Sequence, residues 1–402
     1  MRFFDVRGIV LGLVIVAAIL GVLGAKSLYN QWWPSYKFRS ALAGVSACAG
    51  EKDGVACVRP EIKKLLELTG GADLMDILSA RSGPMWCHYV GHVVGQQMYT
   101  RYHDVEAAIS QCNRACDSAC IHGIIGGAFA EELGIDYEKL NLAHMSVDEL
   151  RKVGKRLCTN IGTCHGVGHA LFQVYQKFEP AFAVCREVSG SMLNQCYNGV
   201  TMEYADILSS RSMTSPPDIE YPDKDSLRSL CDFPSLPEMR ACFRYFPRMV
   251  YATLRRQDVS EAQSLEIVKN VCESYGEAMA RTACFSGMGS SGSYLVLTNT
   301  PAAVKSCQGL GSRQAEASCI IGKLAVATED RTKPLALYCA AMSDVPMRTI
   351  CYQGLFFFLN RIGTSMERMR EICGSDDGVC QQGLRNLGID PMEQIRSFSR
   401  TS

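Results

Sequence analysis

Between residues 80 and 390 two kinds of apolar pattern alternate along the chain. The first is mixed, with apolar residues at helical spacing among polar ones, as in PAFAVC ending at Cys185 and PAAVKSC ending at Cys307. A short stretch with Gly, Ser or Asp follows. The second pattern is more continuously apolar, as in CIHGIIGGAFA from Cys120 and CYQGLFFFL from Cys351. A half-exposed helix needs one apolar face, whereas a helix packed between neighbours is apolar nearly all round. The alternation therefore predicts αα-hairpins, each with a polar helix running up to a turn and an apolar helix leaving it. One segment stands apart. Gly8 to Ala25 is an 18-residue run without a charge, about long enough to span a bilayer. Arg2 and Arg7 precede it, and Trp32 and Trp33 follow where an aromatic belt sits. Cleavage after Ala25 would put Leu23 where a small side chain is needed, so an uncleaved anchor is expected.

The 20 cysteines mark the same repeat. They fall into pairs: Cys48 with Cys57, Cys112 with Cys120, Cys158 with Cys164, Cys185 with Cys196, Cys231 with Cys242, Cys272 with Cys284, Cys307 with Cys319, Cys339 with Cys351, and Cys373 with Cys380. The second member recurs every 29–46 residues from Cys120 to Cys380, a helical-hairpin period. At Cys120, Cys196, Cys284, Cys319, Cys351 and Cys380 it heads the phrase Cys-x-x-Gly and an apolar run, in which Gly admits a neighbouring backbone. Cys87 and Cys116 stand outside the pattern, and a bridge between them would tie two hairpins together. The alternative for Cys116 is a redox-active thiol or soft metal ligand. Each short-loop bridge is worth about 3 kcal/mol on the loop-entropy model. The spacing suits neither a zinc ribbon nor covalent haem.

This layout resembles the cysteine-rich Sel1-like proteins, a branch of the tetratricopeptide-type solenoids. The resemblance covers Cys87 to Cys380. It implies an all-α, disulfide-stapled solenoid and carries no functional residue.

Composition then narrows the setting. All 20 cysteines follow the apolar run, so the body is expected outside the cytoplasm, in a periplasm or at the cell surface. No Asn-x-Ser/Thr sequon occurs, which favours a bacterial envelope. Basic and acidic side chains balance at 41 each, which argues against a nucleic-acid partner.

The chemistry lies in the histidines. There are seven, and none follows His169. Two phrases share the form Cys-His-x-x-Gly-His-x-x-x-Gln: Cys87, His88, Gly91, His92 and Gln96, then Cys164, His165, Gly168, His169 and Gln173. Imidazoles four apart share a helix face and can bind one ion. His122 aligns with His88 and His165, and Glu131 and Glu132 lie further along that helix. Neighbouring repeats would bring His88, His92, His122, His165 and His169 together as ligands for zinc, copper or iron. Gln96, Gln173, Glu131 and Glu132 are candidate further ligands or supports of the imidazoles. A non-covalently held haem between the helices is the other cofactor considered. The glutamate of a zinc protease is missing, because Tyr89 and Gly166 follow the first histidines. Glu203 and Asp206 are expected to be solvated or paired with arginines.

The expected organisation is a tail (1–7), an anchor (8–25), a juxtamembrane segment with a first hairpin (26–79) and His-bearing repeats (80–205). A loop (206–225), His-free repeats (226–390) and a tail (391–402) complete it. Two functional readings follow. One is a membrane-anchored metal-binding protein or metalloenzyme. The other is a scaffold that binds protein partners along its solenoid face.

Overall fold

A computed structural model describes residues 36–50, 54–81, 84–113, 115–135, 145–188, 192–209, 222, 226–255, 259–291, 305–327, 336–342, 344–361, 364–373, 378–388, 391 and 395. The expected anchor at 8–25 lies outside the described residues. No helix among the described residues is long and apolar enough to cross a membrane.

The described chain is all-α. Its helices are α1 (36–47), α2 (Gly54–Leu66), α3 (Gly71–Arg81), α4 (Pro84–Tyr102), α5 (Val105–Ile109) and α6 (Ala115–Glu132). Next come α7 (Val147–Leu157), α8 (Ile161–Tyr175), α9 (Phe178–Val188), α10 (Leu193–Ser209), α11 (Leu236–Arg255) and α12 (Glu261–Ser274). The last are α13 (Ala278–Ser291), α14 (Arg313–Ala327), α15 (Ala336–Ala340), α16 (Val345–Arg361), α17 (Met366–Cys373) and α18 (Gly378–Arg385). The apolar helices pack one on the next in chain order: α4 on α6, α6 on α8, α8 on α10, α10 on α11, α11 on α13, α13 on α14, α14 on α16 and α16 on α18. The more polar helices α7, α9, α12 and α17 each touch the apolar helix that follows.

All 20 cysteines are bridged. The nine paired by spacing close loops of 6–12 residues, each joining one element to its successor. The tenth, Cys87–Cys116, spans 29 residues and ties α4 to α6. The Cys-x-x-Gly phrase was expected to open its helix. It lies instead two to six residues inside. In α8 the Asn160 side chain accepts hydrogen bonds from the N–H groups of Gly162 and Thr163, capping the helix before Cys164.

The glycine of the phrase does bring backbones together. A Cβ on Gly123 would lie 2.0 Å from the carbonyl oxygen of His92, and one on Gly199 equally far from that of His165. Both contacts are to main chain and sit beside histidines. α4 with α6, and α8 with α10, are thus in main-chain contact at these glycines.

Two apolar cores run through the molecule and meet on α11. Ala241, Tyr245 and Met249 face the first core, while Phe243, Phe246, Val250 and Leu254 face the second. Residues 206–209, expected in a loop, are helical, since α10 runs on to Ser209.

Candidate metal centre

Four helices deliver the site. α4 supplies His88 and His92 one turn apart, α6 supplies His122, α8 supplies His165 and His169, and α10 supplies Glu203 and Asp206. The ring centroids of His122, His165 and His169 lie 4.6–4.9 Å apart. His92 lies 4.7 Å from His88, 5.6 Å from His122 and 5.2 Å from His169. One nitrogen from each of His88, His92, His122 and His169 falls within 4.8 Å of all the others. A second group shares His169 and adds Glu203 and Asp206. His165 packs against His122 and His169 but does not join the set of four.

Hydrogen bonds decide which nitrogen faces inward. His88 Nδ1 lies 2.8 Å from the Cys116 carbonyl oxygen. A carbonyl only accepts, so Nδ1 carries a proton. The His88 Nε2 lies 3.1 Å from His92 Nε2 and 3.3 Å from an Asp206 oxygen. His169 Nδ1 shares a 2.6 Å hydrogen bond with a Glu203 oxygen. Gln173 Nε2 donates to the other Glu203 oxygen at 2.9 Å, so this glutamine holds the carboxylate that holds the imidazole. Asp206 pairs with Arg248 of α11 as well as with His88. His122 is 4% exposed, and its Nδ1 has no hydrogen-bond partner among the described residues.

Burial sets the charge states. It holds the His92 and His122 pKa values well below the ordinary imidazole value, and the neighbouring histidines push in the same direction. Burial also raises Glu203. At Asp206 burial pushes upward too, but Arg248 and His88 outweigh it, and the pKa falls well below the carboxylate range. His92 and His122 are therefore held as neutral imidazoles, beside buried carboxyl groups of which Asp206 is firmly ionised. Neutral imidazole is the metal-binding form.

The other expected site residues lie elsewhere. Gln96 is buried but accepts from Arg59 Nη2 at 3.2 Å. Glu131 meets His103 at 3.0 Å on the surface, and Glu132 pairs with Arg156. The two glutamates thus belong to surface contacts, because they sit beyond the turns of α6 that face the histidines. His144 lies outside the described residues. Glu203 and Asp206 correct the opposite expectation. They are buried against the histidines, although Asp206 also has the arginine partner foreseen for it. The missed signal is their setting. Val200, Met202, Tyr204, Ala205, Ile207 and Leu208 surround them in sequence and are all buried, leaving no solvent face for two acids.

The comparisons supply no identity: no family model, curated protein or solved structure matches this chain.

Proposed function

We propose that this protein is an envelope helical-repeat solenoid that binds one transition-metal ion through His88, His92, His122 and His169. Glu203 and Asp206 support the imidazoles, and His165 stands beside them. The reading rests above all on His122 Nδ1. A buried polar atom without a partner costs about 1–3 kcal/mol, and an ion bound at that nitrogen would remove that cost. The separation between the inward nitrogens of His88 and His92 agrees. Ligands at 2.0–2.1 Å from a tetrahedral ion stand about 3.3 Å apart, close to the 3.1 Å here. Outer partners on His88 and His169 are the second shell that metal-bound imidazoles usually have. Zinc, copper and iron all suit such donors, and four rings in mutual contact favour a bare ion over a macrocycle. The 8–25 run anchors the chain, with its bridged body outside the cytoplasm. Any reaction would take place at the ion.

Elemental analysis of the purified chain tests the reading. About one transition-metal ion per chain is expected, and almost none in the His92→Ala/His169→Ala variant. Wild-type protein that carries no metal and takes up none on incubation with Zn2+, Cu2+ or Fe2+ overturns it. Glu203→Gln should leave all four histidines in place and weaken Zn2+ binding about 10- to 100-fold, read by competition with a chromogenic chelator. An unchanged affinity would remove Glu203 from the centre.

A further inference from the structure

The tenth bridge and the first histidine share a contact. Cys87 directly precedes His88, and its disulfide partner Cys116 provides the carbonyl that accepts from His88 Nδ1 at 2.8 Å. The imidazole is therefore held twice by the same pair of residues, once through the chain at Cys87 and once through the Cys116 carbonyl. The other nine bridges each close a short loop within the repeat pattern. This one crosses from α4 to α6, the two helices that bring three of the four proposed ligands.

The segment that holds Cys116 is under backbone strain. Cys116 has φ 54° and Ser118 has φ 59°, both in the left-handed region that residues with a Cβ rarely occupy. Cys116 also lies inside the loop closed by Cys112–Cys120, so two bridges together hold this conformation. Cys87 is buried and Cys116 half-buried, as are Cys57 and Cys112, whereas both sulfurs of the later bridges sit on buried residues.

We propose that the Cys87–Cys116 disulfide gates the metal centre: closed, it holds His88 in its ligand geometry, and opened by a protein dithiol, it releases the ion. This rests on the metal reading above. The chemistry is thiol–disulfide exchange. A thiolate of the dithiol attacks one sulfur of the bridge, and the S–S bond breaks. A mixed disulfide forms, and the second thiol of the donor resolves it. The donor ends oxidised as a disulfide, and Cys87 and Cys116 each end as a thiol bearing a proton. The strained Cys112–Cys120 loop then relaxes, the Cys116 carbonyl leaves Nδ1, and the His88 ring is free to turn. Loss of one such outer partner typically weakens a metal site 10- to 100-fold.

Two measurements on the full chain test the gate. In the first, Zn2+ affinity of a Cys87→Ser/Cys116→Ser variant is compared with wild type by chelator competition. Non-reducing peptide mapping confirms the other nine bridges, and circular dichroism the helices. Affinity 10- to 100-fold weaker is expected. Affinity within twofold of wild type overturns the gate and leaves the metal reading standing, whereas wild type without Zn2+ uptake overturns that reading itself. The second measurement needs no variant. Zn2+-loaded wild type is titrated with a phosphine reductant while free thiols are mapped by alkylation and released Zn2+ is followed. Thiols at Cys87 and Cys116 should appear ahead of the buried pairs such as Cys185–Cys196, together with the ion. Zn2+ retained after this bridge has opened, or other bridges opening first with the ion, overturns the gate.

Discussion

Gly168→Ala is expected to lower the stability of the protein by about 3 kcal/mol, although it adds a single methyl group. In an unconstrained helix this exchange would stabilise by about 1 kcal/mol, because alanine restricts the unfolded chain. Here the packing term wins. A Cβ on Gly168 would lie 2.1 Å from the Cys196 carbonyl oxygen, 2.8 Å from the Val200 nitrogen and 2.9 Å from the Gly199 Cα. All three are main-chain atoms, so no side-chain rotation relieves the clash. α8 and α10 must therefore move apart. The separation also reaches the site, since Gly168 directly precedes His169 and α10 carries Glu203. The 2.6 Å hydrogen bond between those two side chains should lengthen or break. Chemical denaturation measures the loss. Gly378→Ala is the control, since a Cβ there meets nothing within 4 Å, and it should be neutral or slightly stabilising. A Gly168→Ala protein as stable as wild type would show that the helices are less closely apposed than described.

That contact also explains which parts of the molecule the chain announces in its own pattern. Hairpins, bridges and the row of apolar helices follow from periodicity, because each repeat writes the same cysteines and glycines into equivalent positions. The histidines converge for the same reason: His88, His122 and His165 occupy related places in successive repeats, and packing α4 on α6 on α8 stacks them. The repeat even conceals a double use. Gly91 and Gly168 look like parts of a histidine motif, yet a Cβ at Gly91 would meet Ala119 and Met75 and one at Gly168 the backbone of α10. Packing alone requires them. The acids were harder to read because they are not repeated. Glu203 and Asp206 occur once, on a helix without histidine, and only their burial among apolar neighbours sets them apart from surface acids. Arg248 is further removed still. It reaches Asp206 from α11, across a segment whose length says nothing about where the chain returns.

The second large effect is a gain, and it lies far from the histidines. Lys323→Met should raise stability by about 3 kcal/mol at neutral pH and by much less at pH 10.5. The position explains why. Four residues beyond the cysteine, the apolar helices carry Gly91, Ile124, Gly168, Val200, Phe246, Met288, Leu355 and Leu384, all buried. Lys323 occupies that core position in α14 and is 3% exposed. Burial lowers its pKa from 10.5 to about 8, and among the described residues no carboxylate offsets the cost. An unfolded chain keeps this proton up to about pH 10.5, whereas the folded protein gives it up near pH 8. Between those values the unfolded state binds more protons, so wild-type stability rises with pH. Below about pH 8 both states are protonated and the penalty is present in full; above about pH 10.5 it has gone. Methionine nearly matches the shape of the lysine stem and carries no charge, so the variant escapes the penalty throughout. The difference between the two proteins should accordingly shrink across pH 8 to 10.5, while the titration of every shared group cancels. Denaturation midpoints of both proteins at pH 7, 8.5 and 10 measure it. A difference that stays constant with pH would mean that the Lys323 ammonium already reaches water or an anion in the folded protein.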